Sequence, residues 1–486
     1  MATAKFPLDP STSVGKFWIA GDDPAHGSDG VCRVEDGLIE VEVASPLTDW
    51  MESVQRGVTA VTMRPAADDN ELVIHAALPV QPGRATFFGA RTAGRRRVHV
   101  PGSGGTEAHR MRADWCILGA HIHSPEERFT GFRIRLTHLE LWAVTEGVNL
   151  EHQYKPSTKL TLTYETTDAA RVPFSAFDET GAELRLNTVA KFAPPTVWGG
   201  EIGTHNLLAL SGLSGWTLDE ALARFVMPVQ TLFTLLAGVE CHVTHFEVFA
   251  GESWRPVFGH VVSHGAGRPA TDQLLLTRAG FGLDLLARWC EQTARLTPAP
   301  HVVAAAISGA FQTVDAEALA LTTTAEGLDR ALFPGARRFA QAEVDDSIAA
   351  LESSSVPDVV RAELISALRL YFADDSYPTR MLRLGERVAA AVPTCIGNPV
   401  RWKDGIRELR VQLAHSLERK GPMTDDDLLN MASLVQSLRW SLLLRLLLEA
   451  GVTNDVLAQA AEESPSYARN ERFWRDRHSR IFDLAP

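Results

Sequence analysis

The sequence predicts an α+β multidomain chain, with a β-rich, sandwich-like N-terminal region (1–280) followed by an all-α bundle (281–486). Three observations predict this. Period-two alternation recurs in the first half, Gly and Pro clusters punctuate it, and from about Gly282 the apolar spacing changes to three and four. A break near residue 150 would divide the β-rich region into two subdomains.

The stretch VCRVEDGLIEVEV (31–43) alternates on both sides of Asp36-Gly37 and predicts a hairpin. FRIRLTHLELWA (132–143) and STKLTLTYETT (157–167) read as half-buried antiparallel strands. Residues 217–238 read as an inserted helix, with Thr217 and Glu220 spaced as a capping box and Gly238 as the stop. CHVTHFEVFAG returns to strand. Further helices are expected in GLDLLARWCEQTARL, AEALALTTTAEGLDRALF, VPDVVRAELISALRLYF, TRMLRLGERVAAAV, WKDGIRELRVQLAHSLERKG and DDLLNMASLVQSLRWSLLLRLLLEAG. Pro298 and Pro300 mark a joint after the first of these.

Composition narrows the function classes. At 486 residues, 45% hydrophobic and 22% charged, the chain has ample core-forming material. Its five cysteines are far apart and form no CxxC pair, so neither a disulfide framework nor a zinc knuckle is indicated. The start MATAKFPLDP lacks the apolar core of a signal peptide, and Arg439 and Arg445 interrupt the longest apolar run, so a cytoplasmic protein outside the membrane is expected. A net charge of −13 counts against a general nucleic-acid binder. From Arg401 onward, however, 13 basic residues balance 13 acidic ones, so a local RNA site is admissible there.

Several clusters have a bland reading. Cys241-His242-x-x-His245 carries ligand-type residues, but His242 and His245 face opposite sides of a strand. His121-x-His123 shares one strand face and has no third ligand nearby in sequence. No metal or other cofactor is expected. SGLSGW (211–216) lacks the second glycine of a nucleophile elbow, and no Walker loop or GxGxxG occurs. Arg91 and Arg95-Arg96-Arg97, set among glycines, read as a solvated loop. RNERFWRDRHSR (469–480) reads first as a closing amphipathic helix with docked aromatics and solvated arginines. Its second reading is an RNA contact through Arg472, Arg475 and Arg477, with Phe473 and Trp474 stacking on bases.

RELRVQLAHS (407–416) poses a sharper question. Ile406, Leu409, Leu413 and Leu417 form one apolar stripe, and Gly421-Pro422 ends the helix. Arg410 and His415 lie five residues apart, about 140° around the helix axis. Arg410 borders the stripe while His415 points away from it, an arrangement suited to a helix covered on two sides.

These residues resemble the HEPN superfamily, whose helical bundles place an Arg-x4-6-His motif on the penultimate helix. GKFWIAGDDPAHGSDGVCRVEDG and WCILGAHIHSPEERFTGFRIRLTHLELW resemble the N-terminal domain of the ApeA anti-phage family, which joins such a domain to a HEPN domain. TAEGLDRALF (324–333) and LVQSLRWSLLLRLLLEAGV (434–452) resemble the first and last conserved helices of that HEPN type. The residue after the motif Arg is commonly polar in the family and is Val411 here.

The resemblance implies an anti-phage effector that cleaves cellular RNA, tRNA included, in abortive infection. It implies a metal-independent endoribonuclease leaving 2′,3′-cyclic phosphate and 5′-OH ends. Arg410 and His415 are its catalytic residues, with Arg407 beside them as an RNA contact. The expected partners are RNA, a phage-derived trigger acting through the N-terminal region, and a second copy of the chain bound through the C-terminal bundle, as a dimer or higher oligomer. Two alternatives stand beside it: a non-catalytic HEPN scaffold with a ligand-binding β domain, and a carbohydrate-binding β-sandwich protein, given the eleven tryptophans.

Overall fold

The structure, a computed structural model, describes residues 12–35, 37–47, 51–56, 60–65, 71–79, 83–98, 106–144, 148–153, 159–164, 170–192, 202–263, 273–414 and 424–483. The chain divides into two compact units, Met1–Gln230 with Cys241–Ala270, and Thr231–Glu240 with Thr271–Pro486. The first is rich in strands and the second in helices.

The first unit opens with β1 (Ser13–Ile19), β2 (Ser28–Glu35), β3 (Leu38–Val43), the hairpin β4 (Met51–Arg56) and β5 (Ala60–Pro65), then β6 (Leu72–Ala77), β7 (Arg84–Val98), β8 (Thr106–Ala113) and β9 (Trp115–Leu118). Next come β10 (Phe129–Leu136), α1 (Leu139–Ala143), the hairpin β11 (Val148–Gln153) and β12 (Lys159–Tyr164), β13 (Ala170–Pro173), β14 (Glu183–Phe192) and β15 (Ile202–Trp216). α2 (Leu218–Ala221) and α3 (Met227–Ala237) precede β16 (Val243–Ala250) and β17 (Ser253–Gly259).

The expected hairpin is present, with Glu35 opposite Leu38 and Gly37 at φ 79°. The sandwich is replaced by a barrel. Neighbouring strands run β7-β6-β1-β2-β3-β8, and β8 pairs back onto β7, closing a six-strand ring. Phe17, Ile39, Val41, Val43, Ile74, Phe87 and Met111 fill it. The same alternation serves a sandwich or a barrel, and closure rests on the reach of β7. Its first half, to Ala90, pairs with β6 and β9; from Arg91 to Val98 it pairs with β8, with an irregularity between Thr92 and Gly94. Residues 91–98, expected as a solvated loop, are therefore strand, and Arg91 forms ion pairs with Glu71 and Asp114. From β9 the sheet continues through β17, β16, β10, β15, β14 and β13.

Two strand expectations need correction. The strand beginning at Phe129 stops at Leu136, and Leu139, Trp142 and Ala143 are buried on one helical turn. His121 and His123 lie in the irregular segment after β9. The inserted helix has its capping box, with Thr217 accepting from the Glu220 amide and Glu220 from the Thr217 amide. A π turn at Leu222–Val226 precedes Pro228, whose ring would clash with the carbonyl four residues earlier in a regular helix.

The second unit holds α4 (Leu283–Leu296), α5 (Ala299–Ile307), α6 (Val314–Leu332), α7 (Gln341–Glu352), α8 (Asp358–Ala367), α9 (Tyr377–Ala389) and α10 (Pro393–Ile396). α11 (Pro399–Ala414), α12 (Asp425–Glu449), α13 (Asn454–Glu463), α14 (Pro465–Arg477) and α15 (Ser479–Phe482) follow. Sequence reading missed α5, α7, α10, α13 and α15. At α5 the prolines start a helix rather than only marking a joint, because Pro300 sits in its first turn, where no amide partner is needed.

α12 is the central helix. Its buried residues run from Met431 to Leu448, and α5, α6, α9, α10, α11 and α14 pack on it. A second copy of the chain was expected to cover this helix; the chain's own helices do so, which removes that argument for a dimer. α12 and Leu218–Ala237 are long and apolar enough to cross a membrane, with 78% and 67% of their apolar windows buried inside the protein.

Candidate active site around Arg410

α11 is placed by its own sequence. Asn398 caps it, its side-chain oxygen accepting from the Val400 and Arg401 amides at 3.1 Å. Trp402, Ile406 and Leu409 bury one stripe, and Trp402 donates from Nε1 to Ser437 Oγ on α12 at 2.9 Å. Leu413 is half-buried and Val411 is exposed. Leu417, His415 and the Gly421-Pro422 stop lie outside the described residues. α12 to α15 follow α11, so the motif helix is not the penultimate helix of this chain.

Arg410 leaves the flank of that stripe and is held by two residues that sequence reading missed. Its Nη1 donates to Glu326 Oε2 on α6 at 2.5 Å, and its guanidinium carbon lies 4.2 Å from the centre of the Tyr377 ring at the start of α9. Glu326 Oε1 also accepts from Arg330 at 3.2 Å, and Arg330 reaches Asp374 at 3.4 Å. Burial pushes the Glu326 carboxyl up, but hydrogen bonds and charge from Arg410 and Arg330 outweigh it and hold the carboxyl below its usual range. Burial raises the Tyr377 hydroxyl well above the ordinary tyrosine range. The signal that could have found Glu326 was an acid paired at i,i+4 with Arg330, inside TAEGLDRALF.

One turn along α6, Asp329 is buried with Arg380, Arg383 and Asp375 on and beside α9. Arg383 and Arg445 both lie near the Phe333 ring, at 4.6 Å and 5.8 Å. A charged seam thus joins α6, α9, α11 and α12.

Among the proposed RNA contacts, Arg407 is exposed on α11 and three residues from Arg410. Arg472, Arg475 and Arg477 belong to α14, which packs on α12, α13 and α15. Arg475 pairs with Glu471 at 3.3 Å and Arg477 with Asp426 at 2.9 Å, while Arg472 is exposed. Trp474 is fully buried against Tyr467 and Phe482 and donates to the Thr394 carbonyl at 3.3 Å. It cannot stack on a base, so for this residue the closing-helix reading holds.

The fold supplies the third imidazole that His121 and His123 lacked, His75 from β6. The His75 and His121 rings stack at 4.6 Å with 13° between planes, and each Nε2 meets a backbone carbonyl, of Ile122 and Ala76. Lone pairs lie in the ring planes, and nearly parallel planes do not meet at one ion. Among the described residues no cluster of three or more His, Cys, Asp or Glu is arranged to hold a metal. Ser214 in SGLSGW donates its hydroxyl to Glu179, a carboxylate that also accepts from the Ser214 amide and Trp216 Nε1, and not to a histidine.

Compared with known proteins, the chain matches no family model, no curated protein and no solved structure.

Proposed function

We propose that the helical unit is a HEPN-type endoribonuclease serving anti-phage defence, with Arg410 and His415 as its catalytic pair and the β-rich unit as the sensor of a phage component. The observation that carries this reading is the setting of Arg410. A half-exposed arginine is anchored at a junction of three helices, five residues before His415 in the sequence, with only Nη1 engaged by a carboxylate among the described residues. A ribose 2′-OH attacking its own 3′ phosphate needs only alignment and deprotonation. Histidine can take or give that proton near neutrality, worth about 10²–10⁴-fold. Arginine can grip the phosphate and stabilise the charge that builds on it. A second copy would supply the other acid–base group for in-line displacement, so the active form is a dimer.

Expression in a bacterium, followed by sequencing of RNA ends, tests this. The intact chain cleaves RNA, and Arg410→Ala or His415→Ala abolishes cleavage while the protein stays folded. Full activity in either variant overturns the assignment. A second reading, a non-catalytic scaffold, draws on the neutralising Glu326 contact and on exposed Val411; it predicts no cleavage by the intact chain.

A further inference from the structure

We infer that Glu326 and Tyr377 are positioning residues that hold Arg410 with its Nε–Nη2 edge reserved for a phosphate. This rests on the ribonuclease reading and goes beyond its two motif residues. A guanidinium offers five N–H groups in one plane, and the Nε–H and Nη2–H on one edge match two oxygens of a phosphate. Glu326 takes Nη1, on the other side of the group, and the Tyr377 ring covers one face. Among the described residues no carboxylate or carbonyl engages Nε or Nη2, and the Tyr377 hydroxyl, which feels Arg410, makes no well-formed hydrogen bond to it.

The carboxylate is itself fixed. Arg410 occupies Glu326 Oε2 and Arg330 occupies Oε1, so Glu326 has both oxygens engaged where it stands. Arg330 also offsets the negative charge that would otherwise repel an incoming phosphate, although Asp374 moderates that effect. A flexible arginine becomes a rigid fork, whose benefit appears when the phosphate oxygens rearrange during reaction rather than on first contact.

The expected signature separates positioning from simple structural support. Glu326→Ala should lower kcat by ~10–100-fold, the scale of a 1 Å misplacement, with KM unchanged or lower because a negative charge has been removed. Glu326→Gln should recover part of the rate, since its amide oxygen still accepts from Nη1. Tyr377→Leu should lower kcat in the same way. Thermal melting of the full chain checks that each variant is folded. If Glu326→Ala fails to fold, Glu326→Gln and Tyr377→Leu are read instead.

A second measurement does not need cleavage. Arginine side-chain ¹⁵N spectra of the full chain, with the Arg410 signal assigned by loss in Arg410→Lys, should show a restrained guanidinium that shifts on adding 2′-O-methyl RNA. The restraint should disappear in Glu326→Ala or Tyr377→Leu and be only partly lost in Glu326→Gln. If the intact chain cleaves nothing while this restraint and response are seen, the nuclease reading fails and the positioning role stands. If cleavage depends on Arg410 and His415 yet Glu326→Ala keeps full kcat, or gains activity, the positioning role is overturned and the nuclease stands. An Arg410 signal as mobile in the intact chain as in the variants also overturns it.

Discussion

Arg383 and Asp329 meet inside the helical unit, with Arg383 Nη1 3.1 Å and 2.8 Å from the two carboxylate oxygens. Asp329 is 4% exposed, and Arg380, 3% exposed, lies 3.6 Å from the same oxygen that Arg383 approaches at 2.8 Å. Arg383 also pairs with Asp375, and Arg380 donates from Nε to the Asp375 carbonyl at 3.0 Å. Removing one member of a buried ionic group leaves the others desolvated without compensation. Asp329→Ala should therefore cost about 3–5 kcal/mol, and Asp329→Asn less, since it retains an acceptor. Urea unfolding followed by helix signal at pH 7 measures this. A loss under about 1 kcal/mol, typical of a surface pair, would show that the network is not closed to water.

A backbone contact fixes the start of the motif helix. Gly397, at φ 64°, precedes the Asn398 cap, and a Cβ there would run into the Ile481 carbonyl oxygen and the Phe482 backbone. The Asn398 amide donates to that same Ile481 oxygen at 2.8 Å. Gly397→Ala should cost about 1–3 kcal/mol from the positive φ alone, and more from the clash, and should loosen residues 479–483. Hydrogen exchange at the Asn398 amide is the measurement. Unchanged protection there would contradict the close approach.

Stability should fall on mild acidification. Burial lowers the His75 imidazole from 6.5, with the Ile122 carbonyl contact opposing it and His121 and His123 adding to it; burial likewise lowers His138 and His301. A depressed folded-state pKa means that the unfolded chain binds the proton first. The contribution is present above about pH 6.5 and is lost as pH drops through the folded values. Burial raises the Glu317 and Asp329 carboxyls above 4.5 and 3.8, so they act with the opposite sign, their contribution present below those values and lost as pH rises through the folded ones. Tm should therefore decline between pH 7.5 and 5.5, and His75→Gln should reduce the slope. An equal slope in the variant would assign the effect to other groups.

Under the ribonuclease reading the nucleophile is the substrate's own hydroxyl, so chelation should leave cleavage intact. Products made in excess EDTA should carry 2′,3′-cyclic phosphate and 5′-OH ends. Inhibition by EDTA that added divalent metal reverses, or 5′-phosphate ends, would point instead to metal-assisted hydrolysis.

Arg407 and the α14 arginines should differ in their effect on RNA. Arg407→Ala, beside Arg410, should weaken binding across sequences and reduce the salt slope by about 1. Arg475→Ala and Arg477→Ala first lose their pairs with Glu471 and Asp426, so a smaller effect is expected. Titrations of fluorescent RNA at several salt concentrations compare them. Equal effects would extend the RNA surface to α14.

Local patterns by themselves determined the order of β-rich and helical regions, the hairpin between Glu35 and Leu38, the Thr217–Glu220 cap, and the buried stripe that begins with Ile406 and Leu409. Each depends on residues within one or two turns, where alternation, a 3.6-residue period or a capping side chain has a direct local cause. Tertiary structure decided the closure of the barrel, because β8 follows β7 directly in the chain but must also meet β3, from far earlier in the sequence, to complete the ring. It also decided that Leu139–Ala143 is a helical turn, since the apolar spacing there fits either backbone until burial selects one. Arg410 is the clearest case. Its place on a helix was legible, but Glu326 lies 84 residues away and Tyr377 on a third helix, and only packing brings their charge and ring against it. Long-range pairing of this kind leaves no periodic trace in a single sequence, because either partner alone reads as an ordinary surface residue.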